Sequence, residues 1–332
     1  MRYETASATV AAYVNANLPV MLWGAPGVGK SDLVAQVAAS GGRDLVDERL
    51  STLESVDLRG QPRVIGDSVA WARPTMFARL WDSHDAGRPS MLFLDEINAA
   101  APSVQAAAFQ LVLNRRVGEH ALPDDCVVVA AGNRQSDKAA AQRMPSALAN
   151  RFAHVDIEPD ADAWRAWAAG AGLSPLVIAF LAFRPALIHA MEGADLRAFP
   201  SPRAWASVAR IADAPADLRP ALVRGLVGEA AAGEFEAFAR IWTRLPSIES
   251  ILANPDGAPV PSASEPALLY AVATGVARKA TRANMGAVIR FAARLPAEFA
   301  FLMVADATRR DAGLKETRAF IDFSVANQGV LA

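Results

Sequence analysis

The octapeptide "GAPGVGKS", Gly24 to Ser31, constrains this chain more than any other stretch. It follows the apolar run "PVMLW" (19–23) and opens "KSDLVAQVAAS" (30–40), whose apolar residues recur at helical spacing. A GxxxxGKS pattern between a strand and a helix is a phosphate-binding turn. Its glycines let backbone N–H groups converge on an anion, and the helix amino terminus adds a favourable dipole. Gly24, Ala25, Pro26, Gly27, Val28, Gly29, Lys30 and Ser31 would form the cradle, with Lys30 on the β- and γ-phosphates and the Ser31 hydroxyl on Mg²⁺.

The neighbouring sequence says what kind of sheet carries this turn. Beside "PVMLW", the stretches "RDLVDERL" (43–50), "SMLFLD" (90–95), "CVVVAAGN" (126–133) and "FAHVDI" (152–157) read as strands. Three of the five are nearly unbroken apolar runs, as expected of parallel strands buried on both faces. "PSVQAAAFQLVLNRR" (102–116) is a second helical pattern, opened by Pro102 and Ser103. The reading is a doubly wound α/β fold with a five-stranded parallel sheet and a ligand site at the carboxyl ends of its strands. Beyond "EPDADAW" helical periodicity takes over, and "NPDGAPVPSASEP" (254–266) reads as a loop or linker. The expected division is a nucleotide-binding α/β domain over 1–158, a helical lid over 159–253, and a linker with a helical C-terminal extension over 254–332.

A second motif supports hydrolysis. "MLFLDE" ends a strand on Asp95 and Glu96. A carboxylate there holds Mg²⁺ through its water shell, and the next polarises the water that attacks the γ-phosphate. The metal set is then Ser31 and Asp95. "DLRG" (57–60) has the DxxG form of a GTPase switch, but no NKxD guanine-reading element occurs, and we treat it as coincidence.

Taken together, "GAPGVGKS", "MLFLDEINAA", "AAGNRQSDKAAAQRMPSALANRF" and "FPSPRAWASVAR" resemble the MoxR-type branch of the AAA+ ATPases over most of the chain. The resemblance implies that Lys30, Asp95, Glu96, Asn133, Arg151 and Arg203 form the catalytic set. Asn133 would be sensor 1 and orient the attacking water. Arg203, in "SPRAW", would be sensor 2 from the helical lid, serving its own subunit's nucleotide or the next one's. Arg151 would cross a subunit boundary to the neighbour's γ-phosphate, with Arg143 a second candidate from the same helix. The cofactors implied are ATP and Mg²⁺. The assembly implied is a ring of copies of this chain, expected to number six, acting on a partner protein that carries a von Willebrand A domain. The family also inserts a hairpin after its second strand, and "RVIGDSVAW" (63–71) has short alternating arms about a Gly66-Asp67 turn.

Composition bounds the alternatives. With 33 basic and 35 acidic side chains the formal charge is −2, so no general electrostatic argument favours a nucleic-acid or membrane-surface protein. A DNA-linked AAA+ ATPase, such as a helicase loader, is the competing reading, allowed by local basic residues including Arg134, Lys138, Arg278, Lys279, Arg282, Arg309 and Arg310. A nucleotide-switched binding module without turnover is a third. The lone Cys126 sits in an apolar run and the four histidines show no metal-ligand spacing. The first residues lack the apolar core of a signal peptide, and a cytoplasmic protein is expected.

Overall fold

The computed structural model describes residues 1–134, 144, 146–191, 197–242 and 247–327. The chain divides into two compact units, Met1–Asp160 and Ala161–Ala332. The first unit runs α1 (Tyr3–Asn15), β1 (Val20–Trp23), α2 (Lys30–Ser40), β2 (Asp44–Arg49), α3 (Ser55–Arg59), β3 (Pro62–Ile65), β4 (Ser68–Trp71) and α4 (Thr75–Asp85). It continues with β5 (Ser90–Asp95), α5 (Pro102–Asn114), β6 (Arg116–Val117), β7 (His120–Ala121), β8 (Val127–Gly132), α6 (Ser146–Ala149) and β9 (Ala153–Asp156).

Five parallel strands form one sheet in the order β2-β5-β8-β1-β9. The three central strands are the ones that read as unbroken apolar runs, and β5 and β8 are buried along their whole length. That is the cost of covering both faces: neither set of alternating side chains meets water. On one face Met21, Leu92, Leu94, Val128 and Ala130 pack with Phe77 and Leu80 of α4 and with Val104 and Leu111 of α5. Side chains alternate along a strand, so Leu22, Phe93 and Val129 point the other way. They are fully buried, as are Leu33 and Val34 of α2, which packs on β2, β5 and β8. The Cys126 thiol is buried and free, and burial pushes its pKa up. Among the described residues no helix is long and apolar enough to cross a membrane.

Strand order decides where a ligand can sit. From β1 the chain goes to the far edge at β2, returns through β5 and β8, and then crosses to β9 on the other side of β1. Connections therefore diverge around β1 and leave a crevice at the carboxyl ends of β1, β8 and β5.

The hairpin is present as β3 and β4, paired antiparallel from Pro62↔Trp71 to Ile65↔Ser68. Gly66 has φ 58° and Asp67 is not left-handed, as the Gly-first turn requires. "DLRG" proves to be helix α3 and the residue after it: the Asp57 carboxylate accepts from the Glu54 N–H at 2.8 Å, an end-capping bond.

Among its described residues the second unit has helices and connecting loops but no strand. Its helices are α7 (Ala161–Gly170), α8 (Pro175–Phe183), α9 (Pro202–Ile211), α10 (Arg219–Val227), α11 (Glu229–Trp242), α12 (Ile248–Ala253), α13 (Pro266–Lys279), α14 (Met285–Ala292), α15 (Ala297–Arg310) and α16 (Arg318–Ala326). One core gathers Phe180, Trp205, Phe235 and Phe238, with Phe180 edge-on to Phe235 at 5.4 Å between centroids. A second gathers Val276, Phe291, Phe299 and Met303. Helix α13 enters both, giving Ala271 to the first and Leu269, Val272 and Val276 to the second. The Pro/Gly/Ser-rich stretch at 254–265 is the loop between α12 and α13.

A charged pair is sealed into the first of these cores. Arg219 reaches the Glu236 carboxylate with Nε at 2.9 Å and Nη2 at 3.0 Å, and the two side chains are 14% and 9% exposed. Breaking such a pair strands a charge, whereas replacing both partners by apolar residues is close to neutral. Urea unfolding should therefore show Glu236→Ala losing about 3–5 kcal/mol, and Arg219→Met with Glu236→Leu losing much less. Equal losses would mean that packing, not charge, holds this site.

Candidate functional site

The loop from Gly24 to Gly29 joins β1 to α2 at the crevice. Gly27 and Gly29 sit at φ 79° and 97°, a region that other residues enter only with strain. Those two reversals fold the loop back over the amino end of α2, where free N–H groups and the helix dipole favour an anion. The Lys30 ammonium lies inside the loop and donates to the Gly24 carbonyl at 2.6 Å and the Ala25 carbonyl at 3.2 Å. It also donates to Asn133 Oδ1 at 2.9 Å, so the loop after β1 is tied to the tip of β8.

The neighbouring strand completes the group. Asp95, at the end of β5, is buried. Its Oδ2 accepts from the Ser31 hydroxyl at 3.0 Å and its Oδ1 from the Glu96 N–H at 2.8 Å. Asp47 on β2 has its carboxyl held above the usual range, first by desolvation and then by the charge of Asp95. A hydroxyl and a carboxylate oxygen side by side, with more negative charge beyond, suit a hard cation that takes its other ligands from water and phosphate. No group of three or more His, Cys, Asp or Glu side chains placed to hold a metal occurs among the described residues.

Three contributors carry no sequence motif of their own. Ser51, in the short turn after β2, donates to the Glu96 carboxylate, and Glu96 itself is left-handed at φ 56°, a strained setting for a side chain with a Cβ. Asn98 is buried and clamps the backbone of Asn133: its Nδ2 donates to the Asn133 carbonyl at 2.7 Å and its Oδ1 accepts from the Asn133 N–H at 3.2 Å. Gly132 makes room for this clamp, since a Cβ there would lie 2.6 Å from Asn98 Oδ1. Tyr3, on α1, lies against the loop, 3.6 Å from where a Cβ of Gly29 would be. "DEIN" hinted at Asn98 by proximity to Asp95; nothing in sequence pointed to Ser51 or Tyr3, which come from distant segments.

Arg134 is engaged elsewhere. It bridges Asp156 at 2.9 Å and Glu158 at 2.7 Å and fastens the end of β8 to the end of β9. Arg151 is exposed in the turn between α6 and β9, and its own N–H donates to the Leu148 carbonyl. His154 braces that turn: Nδ1 accepts from Trp23 Nε1 at 2.8 Å, which leaves Nε2 to donate to the Ala149 carbonyl at 2.8 Å. The structure thus brings Lys30, Ser31, Asp95, Glu96 and Asn133 together at the carboxyl edge. Arg151 lies at the opposite edge of the sheet, Arg203 is exposed on α9 of the second unit, and Arg143 falls outside the described residues.

The sheet order, the glycine-rich loop and the strand-terminal Asp95 agree with a family comparison over the same residues. A family match covers residues 20–157. These residues match the ATPase family associated with various cellular activities (AAA). Among solved structures, the chain is similar to a point mutant of RuvB from Thermotoga maritima at 14% identity and TM-score 0.42, covering 82% of this chain and 81% of that one. It is also similar to a candidate ATPase from Cytophaga hutchinsonii at 12% identity and TM-score 0.35, covering 90% and 78%. Likenesses this distant carry nothing on activity. No curated protein matches this chain.

The wall that Tyr3 adds to the phosphate loop can be read by titration. Its hydroxyl is pushed up from 10.0 to about 12, first by burial and then by the charge of Asp32, with a hydrogen bond to Gln36 pulling the other way. The fold holds the neutral phenol, so this contribution to stability is fully present below pH 10 and is lost as pH rises towards 12. Tyrosinate absorbance should show one of the three tyrosines titrating late, and Tyr3→Phe should remove that component and flatten the loss of stability over the same range. An alkaline absorbance titration that Tyr3→Phe leaves unchanged above pH 10 would contradict it.

Proposed function

We propose that this chain is a MoxR-type AAA+ ATPase that hydrolyses ATP at the subunit interfaces of a ring and uses the energy to remodel or activate a partner protein. The observation that carries this reading is the Lys30 ammonium, bonded at once to the phosphate loop and to Asn133. In it, Lys30 and the loop amides hold the β- and γ-phosphates, Ser31 and Asp95 hold Mg²⁺, Glu96 accepts the proton of the attacking water, and Asn133 orients that water. Bound Mg²⁺ would supply charge neutralisation of the phosphate oxygens. Ser51 holds the Glu96 carboxylate until nucleotide arrives, and Asn98 fixes where Asn133 points. Residues 159–253 serve as the lid, with Arg203 as sensor 2, and 254–332 as the extension.

The sheet supports a shared site. Strands β1 and β9 run parallel with Val20 beside Ala153 and Trp23 beside Asp156. Arg151 precedes Ala153, so three residue steps, about 10 Å of strand, and two more residues separate it from the edge where the phosphate loop begins. That is further than one side chain crosses. An exposed guanidinium at that edge suits a phosphoryl group bound by another copy, where its planar fork would meet the charge that develops on the transferred oxygens. A ring of six and a von Willebrand A partner are the finer parts of the same reading. The hairpin offers a contact for a partner polypeptide: Val64, Ile65 and Val69 are exposed at its tip, and its base is held by the Arg59 guanidinium 4.2 Å above the Trp71 ring.

A DNA-linked role has less support. Lys279 and Arg282 pair with Glu249 and Glu316, and Arg134 with Asp156 and Glu158, which neutralises these three, and the formal charge of the chain is −2.

Mixing of inactive variants tests the shared site. Lys30→Ala and Arg151→Ala should each lower phosphate release at least about a hundredfold, the cationic finger of GTPases being worth about 10³ to 10⁵. Mixed in equal amounts, an Arg151→Ala site next to a Lys30→Ala neighbour regains both groups, so about a quarter of the sites should recover. Mixtures as inactive as their parents would sink the shared site. A second expectation concerns Asn98→Ala, which should leave ATP binding nearly intact and lower turnover about tenfold, by freeing Asn133. Equal losses in both would make Asn98 a structural residue only.

A further inference from the structure

The helical unit holds a cavity of about 270 Å³ between α7, α8, α13 and α15. Four arginines line it, Arg165 from α7, Arg278 from α13, and Arg309 and Arg310 from α15, against the single carboxylate of Asp306. Like charges gathered around a hollow repel one another unless something of opposite sign enters. Asp306 does this poorly. Its carboxyl is held above the usual range, first by burial, even with Arg165 and Arg309 beside it.

Bonds within the chain use only part of the donor set. The Arg165 side chain is 11% exposed. Its Nη2 donates to Asp162 at 2.7 Å, its Nη1 stands 3.9 Å from Asp306, and its buried Nε has no partner among the described residues. At 3.9 Å the second contact is no hydrogen bond, and an unmet buried donor costs about 1–3 kcal/mol. Arg278 and Arg310 each give one N–H to a backbone carbonyl, of Leu173 and Ala280, and Arg309 gives one to Asp306 at 3.0 Å. A guanidinium has five N–H donors in a planar fork, so bonds to other described residues use only a minority of these. The rest of the wall is largely apolar, with Pro175, Ile178 and Ala277.

We propose that this cavity binds a small amphipathic oxyanion, a phosphate or carboxylate head on a compact apolar body, and that the bound molecule ties the two helical cores together. The head meets the guanidinium forks in the paired geometry that carboxylate and phosphate share. The body lies on Ile178 and Ala277. The volume falls just under the roughly 300–1,000 Å³ of drug-sized sites and holds on the order of ten non-hydrogen atoms at roughly 30 Å³ each. Bridging follows from the wall: α7 and α8 belong to the core around Phe180, and α15 belongs to the core around Phe291. The site lies wholly within the second unit and does not depend on the ATPase reading.

Calorimetric titration of the full-length protein tests this. With MgADP present in excess to fill the first unit, phenyl phosphate, benzoate and neutral phenol are titrated separately. Saturable binding of one molecule per chain is expected for phenyl phosphate, benzoate or both, and none for phenol; which anion binds identifies the head group. Arg165→Gln and Arg309→Gln should each weaken it at least tenfold, and Lys30→Ala should leave it unchanged. Arg309 is exposed, so its variant stands as the test if Arg165→Gln fails to fold. No saturable binding by either anion, undiminished binding in Arg309→Gln, or loss of binding in Lys30→Ala would overturn the proposal.

Discussion

The ammonium of Lys30 holds this site together. It is bonded to two carbonyls of the loop after β1 and to the Asn133 amide beyond β8, and those segments meet only because β1 and β8 are neighbours in a parallel sheet. Partly burying a cation is costly, and the carbonyl and amide oxygens offset that cost by occupying its donors. A phosphate would compete for the same donors and release Asn133 to a new partner. The contact that keeps the empty loop in shape is thus also the one most sensitive to what enters it.

Around this contact the site is built in tension. Ser31 and Asp95 bond to each other where a hard cation would separate them. Glu96 is held in a left-handed backbone and restrained by Ser51. Lys30, Asn133, Ser31, Asp95 and Glu96 are each bonded to another protein group. The cation at Arg151 stands apart, on the opposite edge of the sheet, and under the proposed function it would complete the site of another copy.

Much of this was legible in sequence, for a physical reason. Parallel strands buried on both faces must be apolar at every position, so β5 and β8 announce themselves as unbroken runs. The phosphate loop is legible because its chemistry is local: two left-handed glycines and a lysine must follow one another in the chain. The edge strands β2 and β9 are more mixed, and the sequence pattern overruns each by one residue at either end. What sequence did not offer were contacts between distant segments. Ser51 faces Glu96, and Tyr3 faces Gly29, across folds of chain that no spacing rule covers. Asn98 was visible as part of "DEIN" but not as the clamp on Asn133. The arginine cavity is not legible in sequence because its charges come from three helices, and Arg278, Arg309 and Arg310 read there only as local basic residues.

The account turns on whether one copy is catalytically incomplete. The most direct measurement is ATP turnover per chain over a dilution series, with mass determined by sedimentation at each concentration. Turnover per chain should rise steeply as single chains give way to the assembly and level off once assembly is complete. Turnover per chain that stays constant from dispersed single copies to the assembled form would contradict it.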